Sequence, residues 1–176
     1  MKKTLIILSF TIIANLSTAQ IAIGKETVNG NSTLLDFNDT TGNTKGIILP
    51  PVTNINASLT SITSHNNGTF VFDQSDNKVK MYENGAWVNL SDAGSSTQIS
   101  TNTSDESPGL QGAIIGGDTS LAKGVLVLES TDKAMILPQI ANPHLNVKSP
   151  YPGMMCYDTV SKSLAVFDGS AWNYWK

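Results

Sequence analysis

The chain has 176 residues, a formal net charge of −3 and only 14% charged residues against 40% hydrophobic ones. So weak a charge excludes the basic stripe that nucleic acid or an anionic membrane surface requires. The single cysteine, Cys156, excludes an internal disulfide and a cysteine-rich metal site. Asn, Ser, Thr and Gly dominate the polar residues, and these favour strands and turns over helices.

Residues 1–19 read as a signal peptide. Lys2 and Lys3 give a positive start, Leu5 to Ala14 an apolar stretch, and Ser17-Thr18-Ala19 the small residues before a cleavage point. The apolar stretch is too short for a dependable membrane span, and no cysteine follows it to carry a lipid. The expected mature chain begins near Gln20 and has no membrane span. It is expected to be exported to the extracellular space or outer cell surface, with the periplasm as the alternative.

From Gln20, Ile21-Ala22-Ile23-Gly24 predicts a short strand and Leu34 to Phe37 a second, ended by turn formers from Asn38 to Asn43. Ile47-Ile48-Leu49 predicts a third, stopped by Pro50-Pro51, which cannot donate to a central ladder. Asn56 to Ser64 is the one plausible short helix here, with Asn56 or Ser58 as its cap. Thr69 to Asp73, Lys78 to Glu83 and Ala86 to Leu90 then predict a three-stranded β-meander. Asn84-Gly85 supplies its second turn, because both residues accept positive φ. Lys78 and Lys80 alternate with Val79 and Met81, predicting one wet and one packed face.

Residues 91–112 are rich in Ser, Thr, Gly and Asn and read as a linker or irregular connection. The pattern then returns. Ile114-Ile115-Gly116 matches Ala22-Ile23-Gly24, and Val125 to Leu128 matches Leu34 to Phe37. Met135-Ile136-Leu137-Pro138-Gln139-Ile140 matches Ile47 to Val52, Gly153 to Asp158 matches Gly68 to Asp73, and Phe167 to Trp172 matches Tyr82 to Trp87. Length differences fall in turns, where a shared fold tolerates them. The expected fold class is mainly β: tandem small β-meander modules with short helical or irregular connections. Module 1 covers 20–90, the linker 91–112 and module 2 113–176.

No pattern carries catalysis. A nucleophile elbow, a zinc-protease helix, a phosphate loop and a Rossmann glycine fingerprint are all missing from the sequence. The expectation is a non-enzyme without cofactor or metal. His65 and His144 read as exposed loop residues, and Cys156 as a buried inert thiol. Asp73 and Asp158 read as strand-end residues accepting backbone N–H bonds rather than calcium ligands. Trp87, Trp172, Tyr174 and Trp175 are the candidate binding residues. They serve either as core or subunit interface, or as a stacking platform for a glycan.

The Leu-Pro segment, the Gly-led strand, the Tyr-Asp or Tyr-Asn pair and the Gly-x-Trp end resemble a repeat of exported Bacteroidota surface proteins and phage tail-fibre-like proteins. Gly46 to Val52 with Gly68 to Trp87 fits it, as does Ile136 to Ile140 with Gly153 to Trp172. The Arg usual after Leu-Pro-Pro is missing from both copies, so no role of that Arg carries over. The resemblance implies a surface or fibre location and self-association, with a trimer favoured. It also makes Asp39-Thr40-Thr41 and Asp158-Thr159-Val160 similar to bacterial O-glycosylation acceptors. The expected function is a secreted or cell-surface structural or adhesive protein; a carbohydrate-binding module using exposed aromatics is the alternative. Partners are expected to be further copies of the chain, and a surface glycan or another envelope protein.

Overall fold

A computed structural model of the protein describes residues 20–59, 62–100 and 112–176. The expected signal peptide and part of the expected 91–112 linker lie outside the described residues. The first copy supplies strands β1 (Ile21–Ile23), β2 (Thr33–Phe37), β3 (Ile47–Ile48), β4 (Pro51–Val52), β5 (Phe70–Asp73), β6 (Lys78–Glu83) and β7 (Ala86–Asn89). The second supplies their counterparts in the same order: β8 (Ala113–Ile115), β9 (Leu126–Leu128), β10 (Ala134–Ile136), β11 (Gln139–Ile140), β12 (Met154–Asp158), β13 (Ser163–Phe167) and β14 (Trp172–Trp175). One-turn helices α1 (Ile55–Ser58) and α2 (Pro143–Asn146) occupy matching places between the fourth and fifth strands of each copy. The architecture is mainly β with small sheets, as the turn-rich sequence predicts.

Each copy contains the meander: β5-β6-β7 and β12-β13-β14 run antiparallel. Asn84 (φ 50) and Gly85 (φ 81) both take positive φ at the first copy's hairpin, the geometry that makes Asn-Gly a hairpin signal. In the second copy the turn centre is Gly169-Ser170, because Asp168 N–H donates to the Ala171 carbonyl at 3.1 Å. Gly169 (φ 93) is forced there twice over, since a Cβ would also lie 1.8 Å from the Ser95 carbonyl oxygen.

The parallel pairings were not legible in the sequence. After the prolines, β4 pairs in parallel with β5 and β11 with β12. Each lies at a sheet edge, where Pro51 is tolerated. The β1-β2 and β8-β9 pairs are also parallel. Two pairings cross between copies: β10 adds in parallel to β2, and β3 adds antiparallel to β12. The copies therefore exchange their third strands rather than sitting apart as two beads.

Strand alternation explains the core. One face of β5-β6 meets one face of β12-β13, so Leu49, Phe72, Val79 and Leu90 of the first copy pack with Met155 and Val166 of the second. The opposite face of the second meander forms its own cluster of Ile140, Met154, Cys156, Ala165 and Phe167. In the first meander the opposite face carries Lys80, which is buried rather than wet as alternation with Val79 suggested. Its ammonium reaches Asp73 at 2.8 Å and Asp76 at 2.6 Å, and that pairing permits the burial. The α1 start also differs from expectation: Asn54 Oδ1, one residue ahead of the helix, accepts the Asn56 N–H at 2.9 Å.

Residues 91–100 bind both copies. Gly94 N–H donates to Asn77, Ser95 N–H to Asp168, and Ile99 packs against the shared core.

Candidate functional site

The four candidate aromatics fall into two groups. Trp87 and Trp172 occupy equivalent positions at the start of the last meander strand, opposite Tyr82 and Phe167. Tyr82 and Trp87 meet edge-on with centroids 5.3 Å apart; Phe167 and Trp172 lie 5.5 Å apart. Both tryptophans are half-buried. Their rings extend the apolar cover over each meander, and Trp172 packs on the second copy's cluster.

Tyr174 and Trp175 are different: they are 39% and 44% exposed. Adjacent on β14, they face opposite sides of the strand. Trp175 donates its indole N–H to the Leu90 carbonyl at 2.6 Å, which ties the end of the chain to the end of the first meander. Asp92 N–H reaches Asn173 Oδ1 at 3.2 Å beside it. Tyr174 pairs its hydroxyl with His144 Nδ1 at 2.9 Å. Burial pushes the Tyr174 phenol up, the charge of Asp158 adds to this, and the His144 bond opposes it. His144 thus belongs to α2 and a tyrosine contact, whereas His65 is exposed in the 3-10 turn Ser64–Asn66.

These residues line a shallow cleft of about 390 Å3 where the copies join. Lys78, Asn89, Leu90, Ser91 and Asp92 come from one side, and Asn173, Tyr174 and Trp175 from the other. It offers one exposed ring, that of Trp175, with one ammonium, one carboxylate and two side-chain amides; Tyr174 turns its ring to the other face, toward His144. That set can stack on a sugar face and exchange hydrogen bonds with hydroxyls; it contains no nucleophile–base pair. A second depression, of about 420 Å3, is lined by His65, Thr119, Ser120, Leu121, Ala122 and Glu129.

The two strand-end aspartates are buried and hold backbone, as the sequence suggests. Asp158 Oδ1 accepts from Asn142 N–H at 2.9 Å and Val160 N–H at 3.0 Å, with Ser161 N–H on Oδ2 at 3.3 Å. Asp73 Oδ1 accepts from the Ser75 N–H and hydroxyl, and Oδ2 from Lys80. For each, burial opposes ionisation. The Lys80 ammonium and Ser75 at Asp73, and Ser161 with the three N–H donors at Asp158, together outweigh it and hold both below the usual carboxylate range. The place a cation would take beside Asp73 and Asp76 is filled by Lys80. Among the described residues no cluster of three or more His, Cys, Asp or Glu is placed to hold a metal. No described helix is long and apolar enough to cross a membrane. The Cys156 thiol is fully buried and pushed up to about 12 by burial, with the Asp158 charge adding to it.

The sequence reasoning missed Lys80, Asn173 and the 91–92 backbone. Two aspartates, Asp73 and Asp76, just ahead of Lys80 on the same hairpin were the available signal. Asn173 and Asp92 lie 81 residues apart in sequence and meet where the ends of the two meanders come together, which no local pattern announces.

No curated protein and no solved structure matches the chain. A family description does match, over residues 22–107 and 114–176, one segment on each repeat copy. By that match over most of its length, the chain belongs to the family described as the phage tail-like trimerisation region.

Proposed function

We propose that the mature chain is an exported, non-catalytic fibre module that trimerises and presents an adhesive surface outside the cell. The family match carries this reading, and the fold supports it. Two copies that already exchange strands within one chain are built for pairing between chains. Export rests on the signal-like residues 1–19 and adhesion on the resemblance to surface and fibre repeats. The direct test is multi-angle light scattering on protein starting at Gln20. A mass three times that of the chain, held on dilution, is expected; a folded monomer at high concentration overturns the reading. Fractionation of the producing cell tests export.

A second reading is favoured by one observation, the exposed Trp175 over the polar cleft. Here the cleft binds a glycan. Glycan-array screening with Asn89→Ala, an exposed side chain of the cleft, separates it from the structural reading: binding lost at an unchanged melting temperature supports a glycan site. No glycan retained by the parent protein removes it. Trp87 and Trp172, packed on Tyr82 and Phe167, serve the fold in both readings.

A further inference from the structure

The repeat assigns every strand of one copy a counterpart in the other, so an edge filled in one copy and open in the other identifies a missing partner. In the first copy β2 has two neighbours, β1 and β10. In the second copy β9 has, among the described strands, only β8. The consequence shows in burial: Leu34 and Leu35 are 3% and 0% exposed, whereas their counterparts Val125 and Leu126 are 72% and 47% exposed. Leu121 stands exposed nearby in sequence. Apolar residues of a third strand's seat are in place, and no described strand fills it.

The repeat also names the strand. The third strand of the second copy, β10, fills β2; the third strand of the first copy is β3. One edge of β3 bonds β12, and no described strand pairs with its other edge. Backbone direction agrees with this assignment. Leu49 N–H donates to Gly153, so Leu49 and Ile47 face β12 and Ile48 faces away. On β9, Val125 accepts from Ala113 and Glu129 donates to Ile115, so these residues face β8 while Leu126 and Leu128 face the open edge. A parallel strand centred opposite Val127 would use the Leu126 carbonyl and the Leu128 N–H. The repeat gives the same register independently. In the filled seat Ile136 aligns with Asp36 and Met135 with Leu35, which translates to Ile48 beside Val127 and Ile47 beside Leu126.

We propose that β3 of a second copy of this chain adds in parallel to the open edge of β9, with Ile48 beside Val127. This rests on the trimeric reading above and supplies its interface. The contact is head-to-tail, first copy to second copy, so three protomers close into a ring with every β9 edge filled. Unfilled, the same edge is a row of exposed donors, acceptors and leucines that invites uncontrolled pairing.

The test is disulfide trapping of the assembled protein, oxidised and run on a non-reducing denaturing gel. Neighbouring strands lie within bridging distance at aligned positions, and buried Cys156 does not compete. The variant carrying Ile48→Cys and Val127→Cys is expected to run mainly as a reducible covalent trimer. The rival pair, Ile48→Cys with Thr69→Cys, probes the seat on β5 that the repeat equates with the β3 site on β12; it is expected to stay unlinked. A trimer by light scattering in which only the rival pair links, or neither links, overturns this interface and leaves the trimeric reading standing. A monomer defeats both. If the double variant does not fold, Leu128→Pro replaces it. It removes one N–H from the open edge and none from the β8-β9 ladder, so trimer loss with the strand content retained is expected. A Leu128→Pro protein that stays trimeric to the same dilution as the parent overturns the proposal.

Discussion

The second strands of the two copies, β2 and β9, are written in similar residues and meet opposite fates. Leu35 lies fully inside, covered by β10, and Leu126 lies half in solvent. The difference is not in the strands themselves but in what reaches their edges. A small repeat gains its core from neighbours, so the burial of one copy reports the presence of the other. Truncation should convert this into a measurable asymmetry. Leu35→Ala is expected to cost about 4 kcal/mol of folding stability, the range for a buried leucine that leaves a cavity. Leu126→Ala should cost about 1 kcal/mol or less within a protomer. Its larger effect should appear as a loss of trimer on dilution. Denaturant unfolding followed at two protein concentrations checks both. Equal, concentration-independent losses would break the comparison.

A second contrast sits at the matched aspartates. Lys80 of the first meander corresponds to Ala165 of the second, so Asp73 is neutralised by an ammonium and Asp158 is held by Ser161 and backbone N–H groups with no cation. Lys80→Ala is expected to destabilise by about 3 kcal/mol, since it strands Asp73 in the interior without its cation. Asp158→Asn should cost about 2 kcal/mol by weakening bonds to charged oxygen. Thermal unfolding of the two variants ranks them.

The pH response follows from the same groups. Both aspartates have folded values lowered from the ordinary 3.8, so their contribution is fully present above that value. It is lost as pH falls below 3.8 and through the lower folded values, because the unfolded chain then binds protons first. Lys80 has the opposite sign. Burial pushes its value down, but Asp73 and Asp76 outweigh this and raise it above 10.5. Its contribution is present below 10.5 and lost as pH rises through the folded value. Melting temperature should therefore fall below pH 4 in the parent. It should fall less steeply there in Asp158→Asn, measured as the difference between pH 5 and pH 3. An identical acid slope in parent and variant would refute the assignment.

The physical reasons for what sequence reading reached are visible in these cases. The meanders were legible because period-two alternation, Asn84-Gly85 and the strand-end aspartates are local signals with local causes. Both Asp73 and Asp158 hold the turns they precede. The sheet composition was not legible, because β2 with β10 and β3 with β12 join residues distant in sequence and parallel pairing leaves no turn signature. Lys80 misled for a related reason. Alternation states which face a side chain takes, and only the arrangement of Asp73 and Asp76 states whether that face is wet. The C-terminal aromatics were identified as a group, but Trp172 and Trp175 have different surroundings because strand positions an odd number apart point to opposite faces.

The smallest expected effect tests the joint between the copies. Trp175 contributes in two ways, through its ring over the cleft and through the indole N–H on the Leu90 carbonyl. Trp175→Phe keeps an aromatic ring and deletes the donor, so the loss is one hydrogen bond to a partly exposed carbonyl, about 1 kcal/mol. That carbonyl closes the first meander, whose Leu90 N–H is held by Val79 in the shared core. The change should therefore raise amide exchange at the 89–92 end of the first copy while leaving the second copy's core protected. Hydrogen exchange resolved by peptide reads this directly. Uniform exchange across both copies would mean that they unfold as one unit and that the Trp175 joint carries no local stability of its own.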